Sequence, residues 1–472
     1  MLGVSVEWPK LSVRVLFHSM RLQRLFVLLG TFTAFGAACH SAPPPPPPKP
    51  VALTDSASAA LRWVQAHAAT FAPTDSTSGA AERTALLMLA GNARVVGFSE
   101  LSEGTHQFPL VIRRALFTLA DSGFRGLAIQ APMAEAMEVD RYVRTGNGDV
   151  RKLLRDLGSW RWETREMQAL VAAMREWNRA HAADRQLGFY GFEIPSAAHA
   201  VHVVTSLPDS IVGAPLKSYL ARQYSCVAMN EGAHWGLEGR AADSTFWSSC
   251  GPATAAAADS IAALRARVGA RSPAAADVAF AEEMAHLIQH HVSVGLRHLA
   301  REEGNAEHVL YLANLAGLNA KLMLWGGDVE MGRLTLDRNT VQTAVALNKR
   351  LGDRYRNVAF AFGSGTLRAR VPSSRSSYGQ QRSAPGLSDA PVAAPLPGTF
   401  EDVFARTGLA GFWLDMRRVG AETGSGWLRG PHQMRLIIEQ YVPQLPASFE
   451  TPIEFPAFFD GVVFVDQVTP SR

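Results

Sequence analysis

The chain has 472 residues, 47% hydrophobic and 19% charged, with a formal net charge of +4. That is an ordinary globular balance, enough for one large domain or two smaller ones. The basic excess is mild and no basic stripe with interleaved aromatics occurs, so nucleic acid is not an expected partner.

Met20 to Arg24 makes a short basic start, and Leu25 to Ala38 is apolar, of signal-peptide length and short for a membrane span. The run closes in Phe35-Gly36-Ala37-Ala38-Cys39. Small residues before a cysteine match a bacterial lipoprotein cleavage site. Residues 1–39 are therefore expected to be an export signal with Cys39 as the lipidated residue; plain cleavage near Ala38 is the alternative. Residues 40–55 contain Pro43 to Pro48 unbroken, which favours an extended tether. The expected location is the bacterial cell envelope, either lipid-anchored or secreted into the periplasm.

Residues 56–472 read as the main domain. Strand-like apolar runs at 93–98, 126–129, 187–192, 321–325 and 357–362 alternate with helical patterns at 109–122, 133–143, 165–179 and 340–351. Alternation of this kind predicts an α/β fold, a mainly parallel sheet flanked by helices. Residues 197 to about 318 read as an inserted helical subdomain, with a break near Ser272-Pro273. Cys226 and Cys250 either pair in an oxidising compartment or stay as two buried thiols. Pro372 to Ala394, rich in Ser, Pro, Gln and Gly, reads as a mobile loop.

The polar strand ends, Glu100, Gln130, Glu193, Asp328 and Ser364, are expected to gather at one edge of the sheet, where α/β proteins meet ligands. The richest of them is Val95-Val96-Gly97-Phe98-Ser99-Glu100-Leu101-Ser102-Glu103-Gly104-Thr105-His106. Glu100, Glu103, His106, Asp328 and Glu330 form the main candidate cluster. Three readings stay open for it: acid/base catalysis, a divalent cation site, or carboxylates simply facing water in a cleft. Arg113 and Arg114, on the helix after the turn, are candidates to steady negative charge on a carbonyl oxygen. Trp160 and Trp162 are candidates for an apolar ligand wall, or for the core. Glu282, Glu283, His286, His290 and His291 make a separate group, read as a solvated helix face rather than a metal site. Gly363-Ser364-Gly365 lacks the spacing of a serine-hydrolase elbow.

The turn at 97–108 resembles the first signature of the erythromycin esterase family, roughly Gly-Glu-Ala-Thr-His-Gly followed by Glu-Phe. Further similar segments follow in order: 123–132, 140–149, 157–164, 175–178, 189–193, 360–366, 396–401, Arg435, 441–443 and 459–461. The resemblance implies hydrolysis of a small-molecule ester, with macrolide lactones as the named substrate, by water that a histidine activates. It implies no cofactor. Glu103 stands where the family places its catalytic histidine, and Gln130 where it places a glutamate. Gly327 and Glu330 stand at two further histidine positions, in Trp325-Gly326-Gly327-Asp328-Val329-Glu330-Met331. These departures imply weak or lost esterase activity. A ligand-binding or scaffold lipoprotein, or a hydrolase working through carboxylates or a metal, is the alternative.

Overall fold

The structure, a computed structural model, describes residues 51–193, 196–228, 244–296, 301–317, 320–335, 342–371 and 386–472. The export signal with Cys39, the tether up to Pro50 and the first part of the 372–394 segment lie outside these residues.

Among the described residues nine strands make the main sheet: β1 (Ala69–Thr70), β2 (Val95–Glu100), β3 (Phe124–Pro132), β4 (Gly188–Glu193), β5 (Lys321–Gly327), β6 (Tyr355–Val371), β7 (Gly386–Val392), β8 (Gly411–Asp415) and, last in sequence, the strand Gly461–Val468. Two short strands, β9 (His432–Arg435) and β10 (Glu450–Ile453), pair with each other antiparallel, so the last sheet strand is β11. The order across the sheet is β1-β8-β11-β6-β2-β5-β3-β4, with β7 paired to β6. The run from β11 through β4 is parallel, while β1, β7 and β8 add antiparallel margins. The expected α/β architecture is thus present.

Strands buried on both faces read as continuous apolar runs. Every residue of β2 is buried, and alternate side chains separate to opposite faces. Val96, Phe98, Met323 and Trp325 pack with Val111, Leu116, Leu170 and Met174 of the helices Gln107–Asp121 and Arg165–Ala180. Val95, Leu322 and Leu324 pack on the other face, against Ile261, Met284 and Leu312 of the helices that run between β4 and β5. Those helices extend from Ala198–Thr205 to Arg301–Leu315 and carry a Cys226–Cys250 disulfide. The break expected near Ser272-Pro273 separates the helices Ser244–Val268 and Ala275–Leu296.

The loop reading of 372–394 is corrected for its second part. Gly386–Val392 is a strand, in antiparallel register with Val371–Gly365. It lies at the margin of the sheet, and its polar, proline-containing sequence suits an edge strand.

Candidate active site

The order β6-β2-β5-β3 places the carboxyl ends of β2 and β5 side by side. Glu100 is in register with Gly327 on one side and Phe360 on the other. β2 leads into the helix Gln107–Asp121 on one face of the sheet and its neighbour β5 into the helix Thr343–Leu351 on the other, the switch-point geometry where α/β sheets open a crevice. The 100–106 turn and the 326–331 turn thus share one edge, as expected.

The turn after β2 is held from outside. Glu103 donates its backbone N–H to Ile437 O, and His106 donates to Thr469 O. Gly104, at φ +82°, receives Arg368 N–H and Ser471 N–H on its carbonyl. A Cβ at Gly104 would collide with the Arg368 backbone, so this position requires glycine. Thr105 Oγ1 accepts from Phe108 N in the first turn of the following helix.

Two carboxyls enter the crevice from this turn. Glu100 is buried, and Trp325 Nε1 donates to its Oε1 at 2.9 Å. Burial pushes its pKa up to about 7, against the opposing effects of the Arg161 charge and the Trp325 hydrogen bond. Glu103 is 1% exposed. Burial is again the main cause that raises it, here to about 8; Arg161 opposes, and the charges of Glu100, Glu439 and Asp328 add to the rise. Arg161 Nη1 stands 3.1 Å from Glu103 Oε1. The pair is close but poorly aligned: neither Glu103 oxygen accepts a hydrogen bond, and Arg161 Nη2 donates none.

Gly327 is the floor under this pair. A Cβ there would stand 1.9 Å from Glu103 Oε1 and 2.8 Å from both Arg161 terminal nitrogens. The Glu103–Arg161 pair therefore fills the space that a side chain at 327 would take. Gln130 Oε1 accepts from Gly327 N at 3.0 Å, and Gln130 Nε2 reaches Glu193 Oε1 at 3.5 Å. An amide serves both contacts, whereas a carboxylate would repel Glu193. Asp328 adopts φ 52°, the one positive-φ residue other than glycine among the described residues. Aspartate tolerates that region better than most residues. Its Oδ1 is buried without a hydrogen bond, and burial raises its pKa, opposed by the Val329 N–H and Arg161. Its carbonyl accepts from Ser99 Oγ at 2.6 Å.

Other expected site residues go elsewhere. Glu330 Oε1 accepts from Thr343 N, so its carboxylate meets the start of the helix Thr343–Leu351. Arg114 is turned away into the core: Nε donates to both oxygens of Glu82, Nη1 to Asp75 O, and the guanidinium lies over Phe71. That pairing corrects its reading as an oxyanion ligand; Arg113 is half-buried on the same helix. Trp162 is a core residue, 1% exposed and edge-on to Trp325, with its indole N–H donated to Gln130 O. Trp160 is half-buried, and its indole nitrogen has no hydrogen-bond partner. His106 Nδ1 meets the buried Glu166 at 2.6 Å, and Glu166 also receives Arg472 N–H. Ser364 Oγ accepts from Gln467 Nε2 on β11.

The second histidine group is only partly a solvated face. Glu283 and His286 are exposed, and Glu282 pairs with Arg265. His290 stacks on Tyr311, however, and His291 is buried, its pKa lowered to about 4 by burial and then by His290. Among the described residues no group of three or more His, Cys, Asp or Glu is arranged to hold a metal ion.

Arg161 and Glu166 were not singled out in the sequence. Arg161 sits in the Trp160-Arg161-Trp162 motif, where the indoles drew the reading; one arginine between two tryptophans was the available signal. Glu166 looks like an ordinary acidic residue in the first turn of a helix.

Comparison with known proteins bears on the family and the fold. The family model described as erythromycin esterase matches residues 119–468. A Bacillus cereus protein of solved structure superposes with a TM-score of 0.67 at 16% identity, over 89% of this chain and 99% of that one. A structure described as a succinoglycan biosynthesis protein gives 0.66 at 15%, over 89% and 100%. An erythromycin esterase mutant in its open conformation gives 0.49 at 13%, over 82% and 94%.

Proposed function

From the premise that this chain belongs to the erythromycin esterase family, we propose that it is an ester hydrolase whose acid/base work rests on Glu103 and Glu100 instead of histidine. The observation that carries this is a buried glutamate in the turn after β2, its pKa raised to about 8 and neither oxygen hydrogen-bonded, where the sequence resemblance implies a histidine. Near neutral pH such a carboxyl exchanges protons as an imidazole does. In its ionised form Glu103 takes a proton from the water that attacks the ester carbon. As the carbon–oxygen bond to the leaving alcohol breaks, the same proton passes to that oxygen. Glu100, beside it, raises the pKa of Glu103 through its own charge.

Macrolide lactones are proposed to be poor substrates. Glu103 and Glu100 are 1% and 4% exposed, and beside carboxyls so buried a small acyl group needs far less room than a wide rigid ring. The test is purified protein lacking residues 1–50, assayed between pH 5 and 9 with 4-nitrophenyl acetate, and with erythromycin by mass detection of the opened ring. The expected rate on the small ester rises with pH, because the base must be deprotonated, and levels off above about pH 8. Glu103→Gln should cost ~10²–10⁴-fold. An unchanged rate in that variant would sink the assignment, and a rate abolished by a chelator would move it to a bound cation.

The export signal and lipidated Cys39 are proposed from the sequence of residues 20–39. The Cys226–Cys250 disulfide supports them, because such bonds persist in oxidising compartments. Cys39→Ala is expected to move the protein from the membrane fraction to the soluble fraction, or to leave the longer precursor. Identical fractionation and mass would remove the lipid anchor from the proposal.

A further inference from the structure

The guanidinium in the crevice has more donors than the protein uses. Arg161 is 12% exposed, with its carbon 4.7 Å from the Trp162 ring centroid. Its charged neighbour is Glu103, in poor hydrogen-bond alignment, and its Nη2 is buried with no hydrogen bond. On the same turn, Trp160 Nε1 is a second buried donor without an acceptor. Buried donors left unmatched are costly. A pairing of Arg161 with an ionised Glu103 would relieve the cost, but the surroundings of Glu103 work against it. Glu100 and Asp328 stand beside it, Glu439 adds its charge from the 437–440 segment, and burial disfavours ionisation. At neutral pH the crevice then holds a protonated carboxyl, itself a donor, next to a permanent cation.

We propose that Arg161 makes this crevice a binding site for a small oxyanion, a carboxylate above all, which sits on Nη2 beside the Glu103 carboxyl. The inference rests on the reading of the crevice as the reactive site and names what it recognises: the carboxylate that ester hydrolysis releases, or a ligand that carries one. Guanidinium suits the task because its planar donors match the two oxygens of a carboxylate. Gly327 makes the site possible, since any side chain there would displace Arg161 and Glu103 together.

The test is thermal melting of the protein lacking residues 1–50 with acetate, benzoate, inorganic phosphate or chloride, at constant ionic strength, at pH 6 and pH 9. A ligand that binds the folded state raises the melting temperature by mass action. Acetate and benzoate are expected to raise it at pH 6. Their apparent affinity should fall by about ten-fold at pH 9, because Glu103 ionises near pH 8 and then competes for Arg161. Glu103→Gln should bind equally well at both pH values, and Arg161→Met should not bind. If Arg161→Met fails to fold, the pH-independence of Glu103→Gln decides the matter. No shift with acetate or benzoate at pH 6, a response to phosphate alone, or an equal shift in Arg161→Met would overturn the proposal. Ester turnover is measured separately. Acetate binding without turnover would leave this site standing and sink the hydrolase; turnover without acetate binding would do the reverse.

Discussion

Gly327→Ala is expected to lower hydrolysis of a small ester by ~10²–10⁴-fold, the range for loss of a positioned acid/base group. The added methyl group would lie 1.9 Å from Glu103 Oε1 and 2.8 Å from both terminal nitrogens of Arg161. All three atoms belong to long side chains, so the backbone survives and the pair is displaced. Displacement moves Glu103 out of the pocket that raises its pKa, so the variant loses both the position and the proton affinity of its base. The check is initial rate against pH together with the melting temperature. A folded Gly327→Ala protein with the parent rate would show that Glu103 does not act from this pocket. The same collision bears on any attempt to restore the family's histidines. Gly327→His alone meets the Glu103 carboxylate and both terminal nitrogens of Arg161, so a single restored histidine is not expected to restore histidine-based hydrolysis.

The largest expected loss of stability lies away from the crevice. Glu82→Ala should destabilise the fold by about 3–5 kcal/mol, the usual effect of removing one partner from a buried ion pair. The side chains of Arg114 and Glu82 are 1% and 3% exposed. Glu82 also accepts from Trp413 Nε1 at 3.3 Å, which ties the helix Ala80–Ala90 to β8. Without Glu82 the guanidinium keeps its bond to Asp75 O but has lost its counter-charge. Urea unfolding at pH 7 gives the measurement. A loss below about 1 kcal/mol would mean that water or a neighbouring group compensates Arg114. Arg114→Met in the same assay separates structure from chemistry: stability should fall while the folded fraction keeps its rate per molecule.

What was legible in the sequence is mostly what periodicity and strand ends encode. The apolar runs of β2, β3, β4, β5 and β6 announced a parallel sheet because a strand covered on both faces has no polar side to show. From that sheet the meeting of Glu100 and Glu103 with Asp328 followed, since neighbouring parallel strands end at the same edge. Partner choice was not legible. Arg114 and Arg161 are both arginines near the turn in sequence or space, and only the packing of the helix Ala80–Ala90 decides that Arg114 meets Glu82. The family resemblance placed Glu330 at a histidine position, yet Thr343 lies close enough for its N–H to take the carboxylate. Gly386–Val392 has the composition of a loop; its antiparallel pairing to β6 overrides it. Gln130 looked like a lost acid, whereas its amide bonds both Gly327 and Glu193.

The place of β5 in the sheet has a consequence for how the molecule comes together. β2 and β3 are separated in the sheet by β5, which comes from far later in the chain, after the helices that follow β4. During synthesis the first strands therefore have no central partner, and the unpaired backbone edges that β5 will cover stay open until Lys321–Gly327 has been made. Contacts so distant in sequence are slow to form, and exposed edges meanwhile invite pairing with other chains. The crevice is accordingly a late product of folding: Glu100 and Glu103 are made early, and the environment that tunes them closes only when the strand between β2 and β3 arrives.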